Sequence, residues 1–226
     1  MRQRKPKNLE EKLAECSEFI VDTPSPEVWT QVFHKGEVAA EGDEERKLFL
    51  EIGCGKGNFI TKKARENPDS DFIAIEGQET VILRALEKMK EAETEGNGIS
   101  NLKFVCAFIN NMDDMFKRDS LDGIYLNFSD PWPKARHAKR RLTYRDRLRD
   151  YGKALKPGGF IEIKTDNEGL FEFTLEEIDE LGLEKIEFTR DLHSTECTYE
   201  AKNTMTEYEV RFKEKGKNIN YVKVCY

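Results

Sequence analysis

The sequence predicts an α/β fold with a doubly wound, mostly parallel seven-stranded sheet. Three observations carry this. Short apolar, β-like runs alternate with stretches of helical periodicity. One such run ends in a glycine-rich turn that opens a helix. The 226 residues suffice for one sizeable α/β core and are short for two. The chain therefore reads as a single domain over residues 1–226, with a mobile basic N-terminal arm expected over about 1–15.

The elements follow in order. After the arm, residues 36–47 (GEVAAEGDEERK) read as an acidic loop. Strands are predicted at 48–52 (LFLEI), 71–75 (DFIAI), 102–106 (LKFVC) and 123–128 (GIYLNF), the last stopped by Pro131 and Pro133. A fifth covers 160–164 (FIEIK), opened by the turn Lys156-Pro157-Gly158-Gly159. Two more fit 183–190 and 207–213. Helical stripes lie between them. Val81, Ile82, Ala85, Leu86 and Met89 share one face, as do Leu170, Thr174, Ile178 and Leu181. Tyr144, Leu148, Tyr151 and Leu155 make a third face, with Thr143 as the expected N-cap.

Composition excludes several classes. No apolar run reaches the length of a membrane span, and the charged N-terminus lacks the apolar core of a secretion signal. The five cysteines are scattered without a CxxC pair, which disfavours a disulfide framework and a cysteine zinc site. A cytoplasmic protein with no metal and no membrane partner is expected, as a monomer or homodimer. The net charge of −7 argues against a bulk polyanion surface. Yet Lys134, Arg136, Lys139, Arg140, Arg141, Arg145, Arg147 and Arg149 face a single acid, Asp146, in that stretch. A one-signed run on an acidic protein points to local phosphate contact.

Glu51-Ile52-Gly53-Cys54-Gly55-Lys56-Gly57 joins the first strand to a helix. Glycines suit a tight turn that a ligand approaches closely. The spacing is GxGxG rather than the dinucleotide GxGxxG, and Glu51 precedes it. A carboxylate there repels a pyrophosphate and suits a cation, such as the ammonium and sulfonium of S-adenosylmethionine. Glu76 ends the next strand, where a carboxylate can accept both ribose hydroxyls. Asn110, beyond the third strand, reads equally as an adenine-edge partner or an ordinary loop amide. The glycine loop and its acids resemble the first motif of class I methyltransferases.

Asn127-Phe128-Ser129-Asp130-Pro131-Trp132-Pro133-Lys134 sits at the end of the fourth strand, the edge where open α/β sheets bind ligands. The prolines stiffen the loop, Asp130 supplies a charge, and Trp132 offers a flat face. Asp166 reads either as a reader of base donors or as a helix N-cap. Thr206 and Glu209 read, on chemistry alone, as ordinary strand residues.

The run NFSDPWPKARHAKRRLTYRDRL, with Lys164-Thr165-Asp166-Asn167 and Met205-Thr206-Glu207-Tyr208-Glu209, resembles the bacterial tRNA (guanine-N7)-methyltransferase family from about Leu48 onwards. The resemblance implies a Rossmann-like, seven-stranded class I methyltransferase. It would move a methyl group from S-adenosylmethionine to guanine N7 at position 46, in the tRNA variable loop. By position it implies cofactor contacts from Glu51, Gly53, Gly55, Glu76, Asn110 and Asp130, with Asp130 also catalytic. It implies substrate contacts from Lys134, Asp166, Thr206, Glu207, Tyr208 and Glu209. Two departures stand out: Gly77-Gln78 follows Glu76 where the family more often has a bulky apolar pair, and Asn110 stands where Asp is common.

Three other readings fit less well. An exocyclic-amine methyltransferase usually has Asp or Asn, two adjacent prolines and an aromatic at this strand end, and Trp132 separates the prolines here. An RNA-binding module on a dead fold has no need of both Glu51 and Glu76. A nicotinamide dehydrogenase is disfavoured by the GxGxG spacing.

Overall fold

The computed structural model describes residues 6–34 and 46–226. The predicted acidic loop falls almost entirely outside the described residues, as do the first five residues of the predicted arm. The chain has a seven-stranded sheet. It divides into two compact units, Met1–Lys117 and Arg118–Tyr226.

The first unit runs α1 (Leu9–Ala14), α2 (Val28–His34), β1 (Lys47–Ile52), α3 (Asn58–Glu66), β2 (Ser70–Ile75), α4 (Glu79–Thr94) and β3 (Leu102–Val105). Its strands lie in the order β3-β2-β1, all parallel. Phe72, Ile73, Ala74 and Ile75 are all buried, the continuous apolar pattern of a strand covered on both faces. Ile82, Ala85, Leu86 and Met89 of α4 pack inward. Within the predicted arm, Leu9–Ala14 form α1. Leu9 is buried, and Lys12 and Glu15 reach α4 through Glu87 and Lys90 at 2.9 and 2.8 Å.

The second unit runs β4 (Leu121–Asn127), α5 (Arg145–Ala154), β5 (Leu155–Thr165), α6 (Glu168–Leu181), β6 (Glu184–Thr189), α7 (Glu207–Glu214) and β7 (Asn220–Cys225). Its order is β4-β5-β7-β6. β4 and β5 are parallel, and β7 is antiparallel to both β5 and β6.

Three expectations change here. Residues 207–213 form α7, not a strand. Thr206 Oγ1 accepts from Glu209 N at 3.0 Å, and Glu209 Oε2 accepts from Thr206 N at 2.8 Å. This reciprocal capping box starts a helix and leaves β7 as the last strand. Thr143 is not the N-cap of α5. Tyr144 holds that place, while Thr143 is fully buried and accepts from Thr174 Oγ1 of α6 at 2.8 Å. The Lys156–Gly159 turn lies within β5, where the β4–β5 register shifts.

Candidate functional site

In the first unit, the turn after β1 is built on three glycines in the left-handed region, Gly53, Gly55 and Gly57, with φ of +78°, +58° and +71°. They serve two purposes. A Cβ on Gly57 would lie 2.8 Å from Ala85 Cβ and 3.2 Å from the Phe104 ring, so this glycine lets α3 pack closely. A Cβ on Gly53 or Gly55 would meet nothing within 4 Å, so their backbone borders open space that a ligand can enter. Gly53 N and Cys54 N both donate to Ile75 O, at 2.8 and 3.0 Å, tying the turn to the end of β2.

Glu76 braces the same turn. Its carboxylate accepts from Gly55 N at 3.1 Å and from Gln78 N at 2.9 Å. A carboxylate has about four acceptor positions, so capacity for hydroxyl donors remains. Glu51 is buried near the end of β1. Burial, then the Glu51 and Glu76 carboxylates, push the Cys54 thiol well above its usual range. Two carboxylates, Glu51 at the end of β1 and Glu76 after β2, flank the turn and disfavour a further anion there. Open glycine backbone, a negative field and a half-buried strand-end acid fit S-adenosylmethionine. Asn110 is exposed in the segment after β3.

In the second unit, the loop after β4 is strained at two bulky residues. Phe128 has φ of +50° and Trp132 has φ of +40°, and exposed Asp130 lies between them. Such angles are unusual for aromatic residues and persist where the surroundings over-determine them. Here the surroundings do so. Phe128 N donates to Lys164 O at 2.8 Å, and the Phe128 ring stacks on Tyr208 and Phe212 at 5.9 and 6.0 Å. Arg141 donates through Nε to Pro131 O at 3.0 Å and through Nη2 to Trp132 O at 3.1 Å. The Arg140 guanidinium lies 4.9 Å over the Trp132 ring, and His137 meets its edge at 5.7 Å.

The basic run separates by role. Arg145 pairs with Glu177 and Glu180 at 2.8 and 3.1 Å, and Arg149 pairs with Asp146 at 3.3 Å. Arg141 is committed to the loop. Lys134, Arg136 and Lys139 are exposed and have no carboxylate partner among the described residues. Residues 135–140 form a 3-10 turn that carries Arg136 and Lys139, with Lys134 just before it.

The remaining sequence-predicted residues divide by exposure. Asp166 follows β5 with its side chain 24% exposed and Lys217 at 3.6 Å. It does not cap α6, because Asn167 does so by accepting from Leu170 N at 2.8 Å. Tyr208 is exposed, while Thr206 and Glu209 are buried and engaged with each other. Lys164, which the family motif includes without a role of its own, is buried and donates to Ala201 O, Thr204 O and both Glu209 oxygens at 2.5–3.3 Å. Its signal was a lysine closing the apolar strand FIEIK. Phe128 and Arg141 gave no comparable signal, because their roles rest on backbone angle and on a carbonyl contact.

A family model described as "Putative methyltransferase" matches residues 45–222, which span the glycine turn, the Asp130 loop and the Thr206–Glu209 box. Two curated tRNA (guanine-N(7)-)-methyltransferases are similar to the chain. That of Mesoplasma florum is 49% identical over 79% of this chain and 80% of its own length. That of Brevibacillus brevis is 41% identical over 97% of this chain and 95% of its own length. The chain belongs to the tRNA (guanine-N7)-methyltransferase family. Solved structures agree at the level of fold. The 16S rRNA methyltransferase KamB superposes on this family member with a TM-score of 0.58 at 12% identity, over 79% of this chain and 87% of its own. A SAM-dependent methyltransferase from Aquifex aeolicus gives 0.53 at 13% identity, over 99% of both chains. The family member thus has the class I methyltransferase fold.

Proposed function

We propose that the protein methylates N7 of guanosine at position 46 in the variable loop of tRNA, with S-adenosylmethionine as donor, as a single-domain cytoplasmic enzyme. The observation that carries this reading is Asp130, exposed between two strained aromatic residues at the end of β4. The family relationship supplies the substrate class.

The bound cofactor supplies an electrophilic methyl group on a sulfonium. Gly53 and Gly55 let it approach the turn, Glu51 and Glu76 provide the negative field for its cationic end, and Glu76 accepts from its ribose. Asn110, from the segment after β3, is assigned the adenine edge. Guanine N7 is an sp² nitrogen with a free lone pair, so no base need remove a proton before attack. The demand on the protein is placement and charge. Methylation leaves a cationic purine, and Asp130 stabilises that charge from a fixed position. Asp166, freed from capping, accepts from guanine donors. Lys134, with Arg136 and Lys139, contacts phosphate. Tyr208 offers an exposed ring and Glu207 flanks it. Thr206 and Glu209 act from inside, by holding α7 and therefore Tyr208.

The test is incubation with labelled S-adenosylmethionine and bulk tRNA, followed by nucleoside analysis. Label in N7-methylguanosine is expected. Label in N6-methyladenosine, or no transfer, overturns the reading.

A further inference from the structure

Residues 211–217 (RFKEKGK) hold four cations against one acid, on a chain of net charge −7. Arg211, Lys213 and Lys215 are exposed and have no carboxylate partner among the described residues. The segment closes α7 and leads into β7, in the unit that carries Asp130 and Asp166. Asn220, the first residue of β7, pairs with Thr165, the last of β5, so the segment enters the sheet beside Asp166.

The cations are not spread evenly around α7. Tyr208, Arg211, Phe212 and Lys215 are spaced i, i+3, i+4 and i+7, so they share one face. That face meets the strained loop, because the Phe128 ring stacks on Tyr208 and Phe212. Lys217 folds back onto it. Its N–H donates to Phe212 O at 2.9 Å, and its ammonium lies 5.0 Å over the Phe212 ring and 3.6 Å from Asp166 Oδ2. Lys213 stands about 140° round the helix from Tyr208.

A cation in the last turn suits the helix dipole, but that role is the same on every face and does not extend to Lys217. Pairing does not account for Lys217 either, since its side chain is 56% exposed and Asp166 is distant for an ion pair. An extended anion does account for the arrangement. A nucleotide backbone carries a phosphate at every step, so a guanine held at Asp130 and Asp166 has phosphates on both sides. Lys134, Arg136 and Lys139 follow β4, the α7 cations precede β7, and β5 with Asp166 lies between.

We infer that Arg211, Lys215 and Lys217 form a second phosphate-binding surface. It holds the RNA backbone on the far side of the target guanine from Lys134, Arg136 and Lys139, and Lys213 takes no part. This rests on the reading of tRNA as the substrate.

The test uses the full chain and an unmodified tRNA transcript, with binding measured between about 50 and 200 mM salt. Arg211→Gln, Lys215→Gln and Lys217→Gln are each expected to weaken binding several-fold and to lower the slope of log K against log salt by about one. The Arg211→Gln, Lys215→Gln double variant should lower it by about two, and Arg211→Lys should keep it. Lys213→Gln removes the same charge from the same helix and should bind as the wild type does. In Arg211→Gln and Lys215→Gln the KM for tRNA should rise while kcat and melting temperature stay close to wild type. Unchanged slopes in those two variants, or an equal fall in Lys213→Gln, overturn the proposal. Failure of the wild type to bind or methylate tRNA would instead overturn the substrate reading beneath it.

Discussion

Lys164 Nζ lies 3.2 Å from Glu209 Oε1, and the two side chains are 1% and 0% exposed. The pair joins the end of β5 to the first turn of α7. His193 Nε2 lies 3.1 Å from the same oxygen, and Thr206 N donates to the other. Lys164 O also accepts from Phe128 N, so one residue anchors both the strained loop and the helix that carries Tyr208.

Lys164→Met is expected to cost about 3–5 kcal/mol, because it leaves the Glu209 carboxylate buried without its cation. Glu209→Gln in the same background should recover part of the loss, since the amide oxygen still accepts from Thr206 N while the charge is gone. Urea unfolding of the two single variants and the double variant measures this. Additive losses would show that the two residues do not act as a pair.

Asp130→Ala is expected to reduce kcat for methyl transfer by at least about a hundred-fold, in line with the loss of one electrostatic stabiliser. Its melting temperature should stay close to wild type, because the side chain is exposed. Near-normal turnover contradicts the assigned role.

Arg141 and its neighbours should separate in a salt titration. Lys134, Arg136 and Lys139, each changed to Gln, should weaken tRNA binding and lower the slope of log K against log salt by roughly one for each phosphate no longer neutralised. Arg141→Ala should leave that slope nearly intact and lower kcat, because its guanidinium donates to Pro131 O and Trp132 O. Arg140→Ala should affect both, since Arg140 is exposed and also covers Trp132.

Glu177 gives the fold an acid dependence. Its side chain is 4% exposed, and its carboxyl is held below the usual value of 4.5 by hydrogen bonds from the Arg145 guanidinium, offset in part by burial, and by the Arg145 backbone N–H. A depressed folded-state pKa contributes stability above the ordinary carboxylate range and loses it as pH falls through the lowered value. Wild type should therefore lose stability steeply below about pH 4.5. Glu177→Gln should start less stable at neutral pH and show a flatter fall, read from melting temperatures between about pH 3 and 7. Equal slopes would mean that the Glu177 pair does not contribute.

Local chemistry was legible in the sequence. The glycine turn expected after the first strand is present, and Gly53, Gly55 and Gly57 all take positive φ in it. The apolar runs became β1 to β6, and the prolines ended β4. The family motifs also named Asp130, although nothing in their spacing announced that Phe128 and Trp132 would be strained around it.

The error at α7 shows how a local signal can mislead. Tyr208, Val210 and Phe212 alternate with polar residues, which is the period of a strand. The same residues carry T-x-x-E, and the capping box won, placing Tyr208 and Phe212 four apart on one helix face with rings at 6.5 Å.

The sequence by itself determined the class of fold, the glycine turn with its acids, the Asp130 loop and the basic run. Each depends on torsion preferences or residue types within a few positions. Tertiary structure decided which charges are available. Glu177 caps α5 and takes Arg145 out of the basic run across 32 residues, and Glu209 neutralises Lys164 across 45. Those pairings exist because desolvated charges must find partners wherever the fold brings them, and sequence spacing does not encode that distance.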